Sequence, residues 1–108
     1  MRILFDHGTP SGIAAALTGH VVTEARELGW DRISNGELLK AAEAAGFDLL
    51  LTTDKRIRYQ QNLSIRTIAI LVLGNSQWRV VRSHLGKIAQ AVKVISPGAY
   101  ATIDIPFR

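Results

Sequence analysis

Short, almost wholly apolar runs alternate along this chain with segments of helical period, and polar or glycine-rich turns separate them. Arg2 to Asp6 carries Ile3-Leu4-Phe5 and reads as a buried strand, followed by Gly8, Thr9 and Pro10. Thr9 is placed to cap a helix over about Pro10 to Leu17, with Pro10 at its first position. Gly19 breaks that helix, and the β-branched run His20-Val21-Val22-Thr23 predicts a second strand. Glu24 to Ile33 is polar and reads as a loop or a short irregular helix. Ser34-Asn35-Gly36-Glu37 is an S-x-x-E capping box, and Leu38, Leu39, Ala41, Ala42 and Ala45 continue it as an apolar helical face until Gly46.

Phe47 to Thr53 is the third predicted strand, and Asp54 to about Asn62 a short basic helical turn. Arg66 to Leu73 is the fourth, apolar almost throughout, as expected of a strand covered on both faces. After Gly74-Asn75-Ser76, the residues Trp78, Val81, Leu85, Ile88, Val92 and Ile95 recur every three or four positions. They predict one long amphipathic helix over 77–95 whose stripe packs on the sheet, a homodimer seam being the alternative use of the same stripe. Ser96-Pro97-Gly98 turns the chain into an alternating edge strand, Tyr100 to Ile105, before Pro106.

This alternation predicts an α/β fold, a three-layer sandwich with a mostly parallel sheet of four or five strands, order about 2-1-3-4, and helices on both faces. At 108 residues and 47% hydrophobic, the chain has the length of one domain, 1–108, with a real core. The longest uncharged apolar stretch, Thr67 to Gly74, falls far short of the roughly 18 residues of a membrane-spanning helix. The strand-like run at the N-terminus leaves no space for a secretory signal, so the expected compartment is the cytoplasm. Absence of cysteine excludes disulfides and thiolate metal sites.

Two of the apolar runs end in an aspartate: Asp6 after Ile3-Leu4-Phe5, and Asp54 after Leu49-Leu50-Leu51-Thr52-Thr53. With strand order 2-1-3-4, strands one and three are neighbours and the winding reverses between them, which is where ligands bind in open α/β sheets. Asp6 and Asp54 then meet at the mouth of that crevice. Two carboxylates there suit Mg²⁺ or Mn²⁺, which can set a water against a phosphodiester. Thirteen Lys+Arg against nine Asp+Glu point to a polyanionic substrate.

Asp6-His7-Gly8-Thr9-Pro10, Ser34-Asn35-Gly36-Glu37-Leu38-Leu39 and Thr52-Thr53-Asp54-Lys55-Arg56-Ile57 together resemble the short PIN-like domains, relatives of the PIN-domain ribonucleases of bacterial toxin-antitoxin pairs. The resemblance covers about the first 75 residues. It implies metal-dependent RNA hydrolysis, with Asp6 and Asp54 as metal ligands and a small antitoxin protein as partner. Asn35 stands where that family usually has an acid, and Arg56 where it often has a second one. Asn35 can coordinate through its neutral amide oxygen, and Glu37 can restore negative charge, so both join the candidate catalytic set.

Lys55, Arg56 and Arg58 next to Asp54 are candidates to hold RNA phosphates, with Tyr59 to stack a base. Asn75, at the end of the fourth strand, is a candidate to orient a water, and His7 a ligand or proton carrier. Each has a plainer reading: Asp54 as a helix cap, Glu37 as half of its capping box, Asp6 as an Asx-turn acceptor. Asp48 lies at the opposite end of strand three and is expected outside the site, and Asp104 is expected to be solvated. The alternative to a ribonuclease is a PIN-like domain that has lost hydrolysis and binds RNA or protein, to which Asn35 and Arg56 point. A phosphoacceptor-like receiver or a nucleotide-binding domain is a further class. The lack of a glycine-rich loop after strand one weighs against nucleotide binding, and the missing paired acids near the N-terminus, with no lysine after strand four, weigh against a receiver.

Overall fold

The computed structural model describes residues 1–57 and 66–106. Five strands form one sheet: β1 (Arg2–Phe5), β2 (Val21–Glu24), β3 (Leu49–Thr52), β4 (Ala69–Leu73) and β5 (Tyr100–Ile103). Their order is β2-β1-β3-β4-β5, and all four pairings are parallel. The expected 2-1-3-4 core is therefore present, with β5 added beside β4.

Side chains alternate across a strand, and here both sides are covered, so each strand feeds two cores. On one face Ile3, Phe5, Leu49, Leu51 and Leu71 pack against Ile13, Leu17, Val81, Ile88 and Val92. On the other, Leu4, Leu50, Ile70 and Val72 pack against Leu38, Leu39, Ala42 and Ile57. Burial of each such side chain contributes about 1.5–3 kcal/mol, which is why four-residue strands suffice. Among the described residues no helix is long and apolar enough to cross a membrane.

Helix α1 (Asn35–Ala44) starts as its sequence predicts: the Ser34 hydroxyl accepts from the Glu37 amide at 3.2 Å, and the Glu37 carboxylate reaches back to the Ser34 amide. Gly46, with φ of +82°, ends it. At the first predicted helix the structure differs. Ser11–Ala16 is a 3-10 helix, Pro10 is its cap residue rather than its first position, and Thr9 does not cap it. The Thr9 hydroxyl is buried and donates instead to the Leu51 carbonyl of β3 at 2.9 Å, which satisfies the hydroxyl's own buried proton. The polar segment after β2 holds a second 3-10 helix, Ala25–Leu28, with its own capping box between Glu24 and Glu27.

The predicted long helix is broken into α2 (Trp78–Val81), a 3-10 turn (Arg82–His84) and α3 (Leu85–Val94). Ser83, His84 and Gly86 are all weak helix formers, and the break falls among them. Val81, Ile88 and Val92 are fully buried, with Leu85 and Ile95 packed beside them, so the sheet covers the stripe that a partner helix would have used. Trp78 leaves the stripe: it is 40% exposed, and its ring lies over Gly12.

β4 begins at Ala69, three residues after its predicted start, because Glu43 takes the backbone that would have extended it. The Glu43 carboxylate accepts from the Thr67 amide (2.7 Å), the Thr67 hydroxyl (3.0 Å), the Ile68 amide (3.3 Å) and Arg66 Nη1 (3.0 Å). Burial raises the Glu43 pKa, and these donors outweigh it, leaving the group below the ordinary glutamate range. A depressed folded-state pKa adds stability that is fully present above the unfolded value and is lost as pH falls through the folded one. Glu43→Gln is expected to lower stability at neutral pH by about 1–3 kcal/mol, with the difference from the parent closing at acid pH in urea melts.

A Cβ at Gly12 would stand 2.5 Å from the Trp78 ring. Because that ring is already partly exposed, it can swing outward. Gly12→Ala, in a Trp30→Phe background that leaves Trp78 as the sole fluorophore, is expected to red-shift the emission and lower stability by about 1 kcal/mol. Unchanged emission would show the ring is not held there.

Candidate functional site

β1 and β3 are neighbours in register, with Phe5 opposite Leu51, so the residues that follow them share one end of the sheet. The Asp6 amide continues the ladder by donating to the Leu51 carbonyl at 3.0 Å. Asp6 and Asp54 both line a cleft of about 380 Å³ together with His7, Asp31, Arg32, Ile33, Ser34, Asn35 and Arg56.

Thr52 joins the two acids. Its fully buried hydroxyl donates to Asp6 Oδ2 at 2.7 Å and accepts from the Asp54 amide at 3.1 Å. Asp6 Oδ1 accepts from the His7 amide at 2.8 Å, while its backbone carbonyl accepts from the Thr9 amide. The Asx-turn expected to the Gly8 or Thr9 amide is therefore not the bond its carboxylate makes: the side chain takes the adjacent His7 amide, and the turn to Thr9 is closed by the backbone carbonyl.

Asp54 is more heavily engaged. Its Oδ1 accepts from the Arg56 amide (2.9 Å) and Arg56 Nε (3.1 Å), and its Oδ2 from Arg56 Nη2 (3.2 Å) and Asn35 Nδ2 (3.1 Å). The amide bond closes a local turn to the residue two positions on; the helical turn expected over Asp54 to Asn62 lies mostly outside the described residues. The guanidinium contributes a two-pronged clamp. The Arg56 side-chain hydrogen bonds are the largest cause of an Asp54 pKa lowered to about 2; burial opposes them, and Asn35, the Arg56 amide and the Arg56 charge reinforce them. Arg56 is correspondingly raised.

The other candidates divide. Asn35, at the start of α1, faces Asp54 and presents its amide nitrogen to it. Glu37 is turned to the Ser34 amide and hydroxyl and is not among the residues lining the cleft. Lys55 lines a neighbouring cleft of about 340 Å³ beside Gly74, Tyr100 and Asp104. Arg58 and Tyr59 lie outside the described residues. Asn75 is buried, its Oδ1 accepts from the Gln77 amide at 2.9 Å, and it does not line the cleft. Asp48 accepts from the Arg2 amide at the opposite end of the sheet, and Asp104 is exposed.

Three residues of the site were not singled out from sequence. Thr52 gave a faint signal as the polar last residue of an apolar strand. Asp31 and Arg32 lie in the irregular segment just before the capping box, where no periodicity marks them.

Among the described residues no group of three or more His, Cys, Asp or Glu side chains is placed to hold a metal ion. Mg²⁺ demands near-octahedral oxygen ligands and dehydrates reluctantly. Here one of the two strand-end carboxylates faces a guanidinium, which an entering cation would have to displace. As arranged, these donors do not form a divalent-metal centre. Comparison with protein-family models, with curated proteins and with solved structures finds no match to this chain.

If Arg56 holds the Asp54 carboxylate down, removing it must release the group. Arg56→Ala is expected to move the Asp54 midpoint from about 2 toward the ordinary aspartate value of about 3.9 in a carboxyl-carbon NMR titration. The sign follows: the clamp contributes stability present above the ordinary value and lost as pH falls toward the depressed one. An unmoved midpoint would show that Asn35 and the backbone suffice.

Proposed function

We propose that this chain is a PIN-like domain that binds single-stranded RNA at the strand-end cleft without hydrolysing it. The observation that carries this reading is the Arg56 clamp on Asp54. A guanidinium has more N–H donors than one carboxylate uses, and the Arg56 side chain is 77% exposed. It is therefore held in a fixed orientation with donors left for a phosphate, the usual use of a tethered arginine.

The cleft also carries acceptors. Asp6 and Asp31 would repel a bare phosphate, yet RNA brings donors of its own in the 2′-hydroxyl and the exocyclic amines of its bases. A nucleotide with its phosphate on Arg56 and its hydroxyl or base edge on the aspartates matches both signs of charge in the cleft. The basic balance of the chain supplies long-range attraction.

The competing reading is the PIN-type toxin ribonuclease, with Mg²⁺ or Mn²⁺ on Asp6 and Asp54 and an antitoxin as partner. Its support is that the two acids line one cleft. One experiment separates them. Binding of a single-stranded RNA is expected to persist in EDTA, to exceed that of the matching DNA, and to weaken about 10- to 100-fold in Arg56→Ala, the loss of one charge-assisted contact. Mn²⁺-dependent cleavage abolished in both Asp6→Asn and Asp54→Asn would overturn the binding reading in favour of the nuclease.

A further inference from the structure

From Lys55 to Ile103 the chain contains no Asp or Glu and eight Lys or Arg. Part of that charge surfaces on the helical segment after β4. Arg79, Arg82 and Lys93 are exposed, and among the described residues none of them pairs with a carboxylate. Lys87 donates to the Asp104 carbonyl. The remaining exposed positions on this segment, Ser83 and Gln90 among them, are neutral.

The segment also presents an aromatic face. Trp78, immediately before Arg79, is 40% exposed although it begins a helix whose other large apolar residues are turned inward. A Cβ added at Gly12 would stand 2.5 Å from its ring, so the Gly12 backbone lies against one side of the indole and backs it. A supported ring beside two arginines that, among the described residues, pair with no carboxylate is a stacking platform with phosphate anchors on its flank.

We infer that the α2–α3 surface, Trp78 with Arg79, Arg82 and Lys93, is a second docking surface for single-stranded nucleic acid, separate from the cleft. α2 follows the carboxyl end of β4, and Trp78 meets Gly12 in the 3-10 helix that follows β1, so Trp78, Arg79 and Arg82 stand toward the same end of the sheet as the cleft. Lys93, in the last turn of α3 beside Leu17, Thr18 and His20, extends the surface toward the amino end. α1 and α2–α3 nevertheless pack on opposite faces of that sheet. A strand lying on both surfaces crosses the sheet's carboxyl end from Arg56 toward Trp78. The ligand class rests on the RNA-binding reading of the cleft, whereas the surface stands on its own residues. Nucleic acid is favoured over an acidic polypeptide because a flat π-face adjoining the cations serves a base and has no use for a carboxylate.

The test uses the full chain carrying Trp30→Phe, so that Trp78 alone reports, titrated with a short single-stranded oligoadenylate at several salt concentrations. Quenching of Trp78 is expected. Arg79→Gln, Arg82→Gln and Lys93→Gln are each expected to make the slope of log affinity against log salt shallower by about 0.7, and the triple variant by about 2. An unaltered slope and no quenching, with binding still sensitive to Arg56→Ala, would overturn this surface and leave the cleft intact. Failure of the parent to bind oligoadenylate would overturn both. Displacement by polyglutamate as effective as by RNA, without quenching, would reassign the surface to acidic polypeptides and overturn the inference.

Discussion

The parallel pairing of β1 with β3 is the constraint on which this structure turns. The chain leaves β1, forms β2 on one side, and returns across β1 to lay β3 on the other, so that later strands add only on that side. Two crossovers of opposite direction put helices on both faces, which closes two apolar cores over strands of four or five residues. The same reversal leaves an opening at the strand ends between β1 and β3. Residues forty-six positions apart, Asp6 and Thr52, meet there at 2.7 Å because Phe5 and Leu51 are already held in register behind them. The cores and the cleft are consequences of one pairing.

At that opening the chemistry is dominated by how the protein satisfies its own carboxylates. Thr52 spends its single proton on Asp6 and offers a lone pair to the Asp54 amide, so one buried hydroxyl fixes both acids relative to each other. Asp54 is then saturated from outside the strand by Arg56 and Asn35. A carboxylate held near pKa 2 by organic donors is a strong, permanent anion, and its charge is already matched. Arg56 is exposed enough that solvent screens much of the pair's contribution to stability. Its more durable effect is orientation: the guanidinium stands fixed at the rim.

Much of this was legible because it depends on local chemistry. An acid closing an apolar run marked Asp6 and Asp54, and the capping box marked α1 down to the bonds its side chains make. What the sequence concealed was decided by partners far along the chain. Thr9 has the composition of a helix cap, and only the Leu51 carbonyl arriving from β3 diverts its hydroxyl. Arg66 to Ile68 read as strand, and a carboxylate from α1 takes the Thr67 and Ile68 amides before any neighbouring strand can. The 77–95 periodicity identified Val81, Leu85, Ile88, Val92 and Ile95 as facing the sheet but wrongly included Trp78. It is also insensitive to a single tight turn, so the break at Arg82–His84 was invisible to it. Asp31 and Arg32 carried no pattern because an irregular segment positions them. Lys55 and Arg56, adjacent in sequence, line different clefts, which no residue-type argument separates.

Charge is divided along the chain as well as across the fold. Eight of the nine acids lie at or before Asp54, and nine of the thirteen Lys and Arg lie after it. Asp54 is the last acid before Asp104, and Arg56 belongs to the first cluster of the basic part, so the clamp between them sits at the junction of the two regimes. The cleft brings together aspartates and Arg32 from the acidic part with Arg56 from the basic part. A ligand that is only an anion, or only a cation, meets repulsion on one side. Under the proposed reading a chain of alternating phosphates and hydrogen-bond donors answers both charges, and the exposed Arg79 and Arg82 on the segment after β4 extend the positive side beyond the cleft.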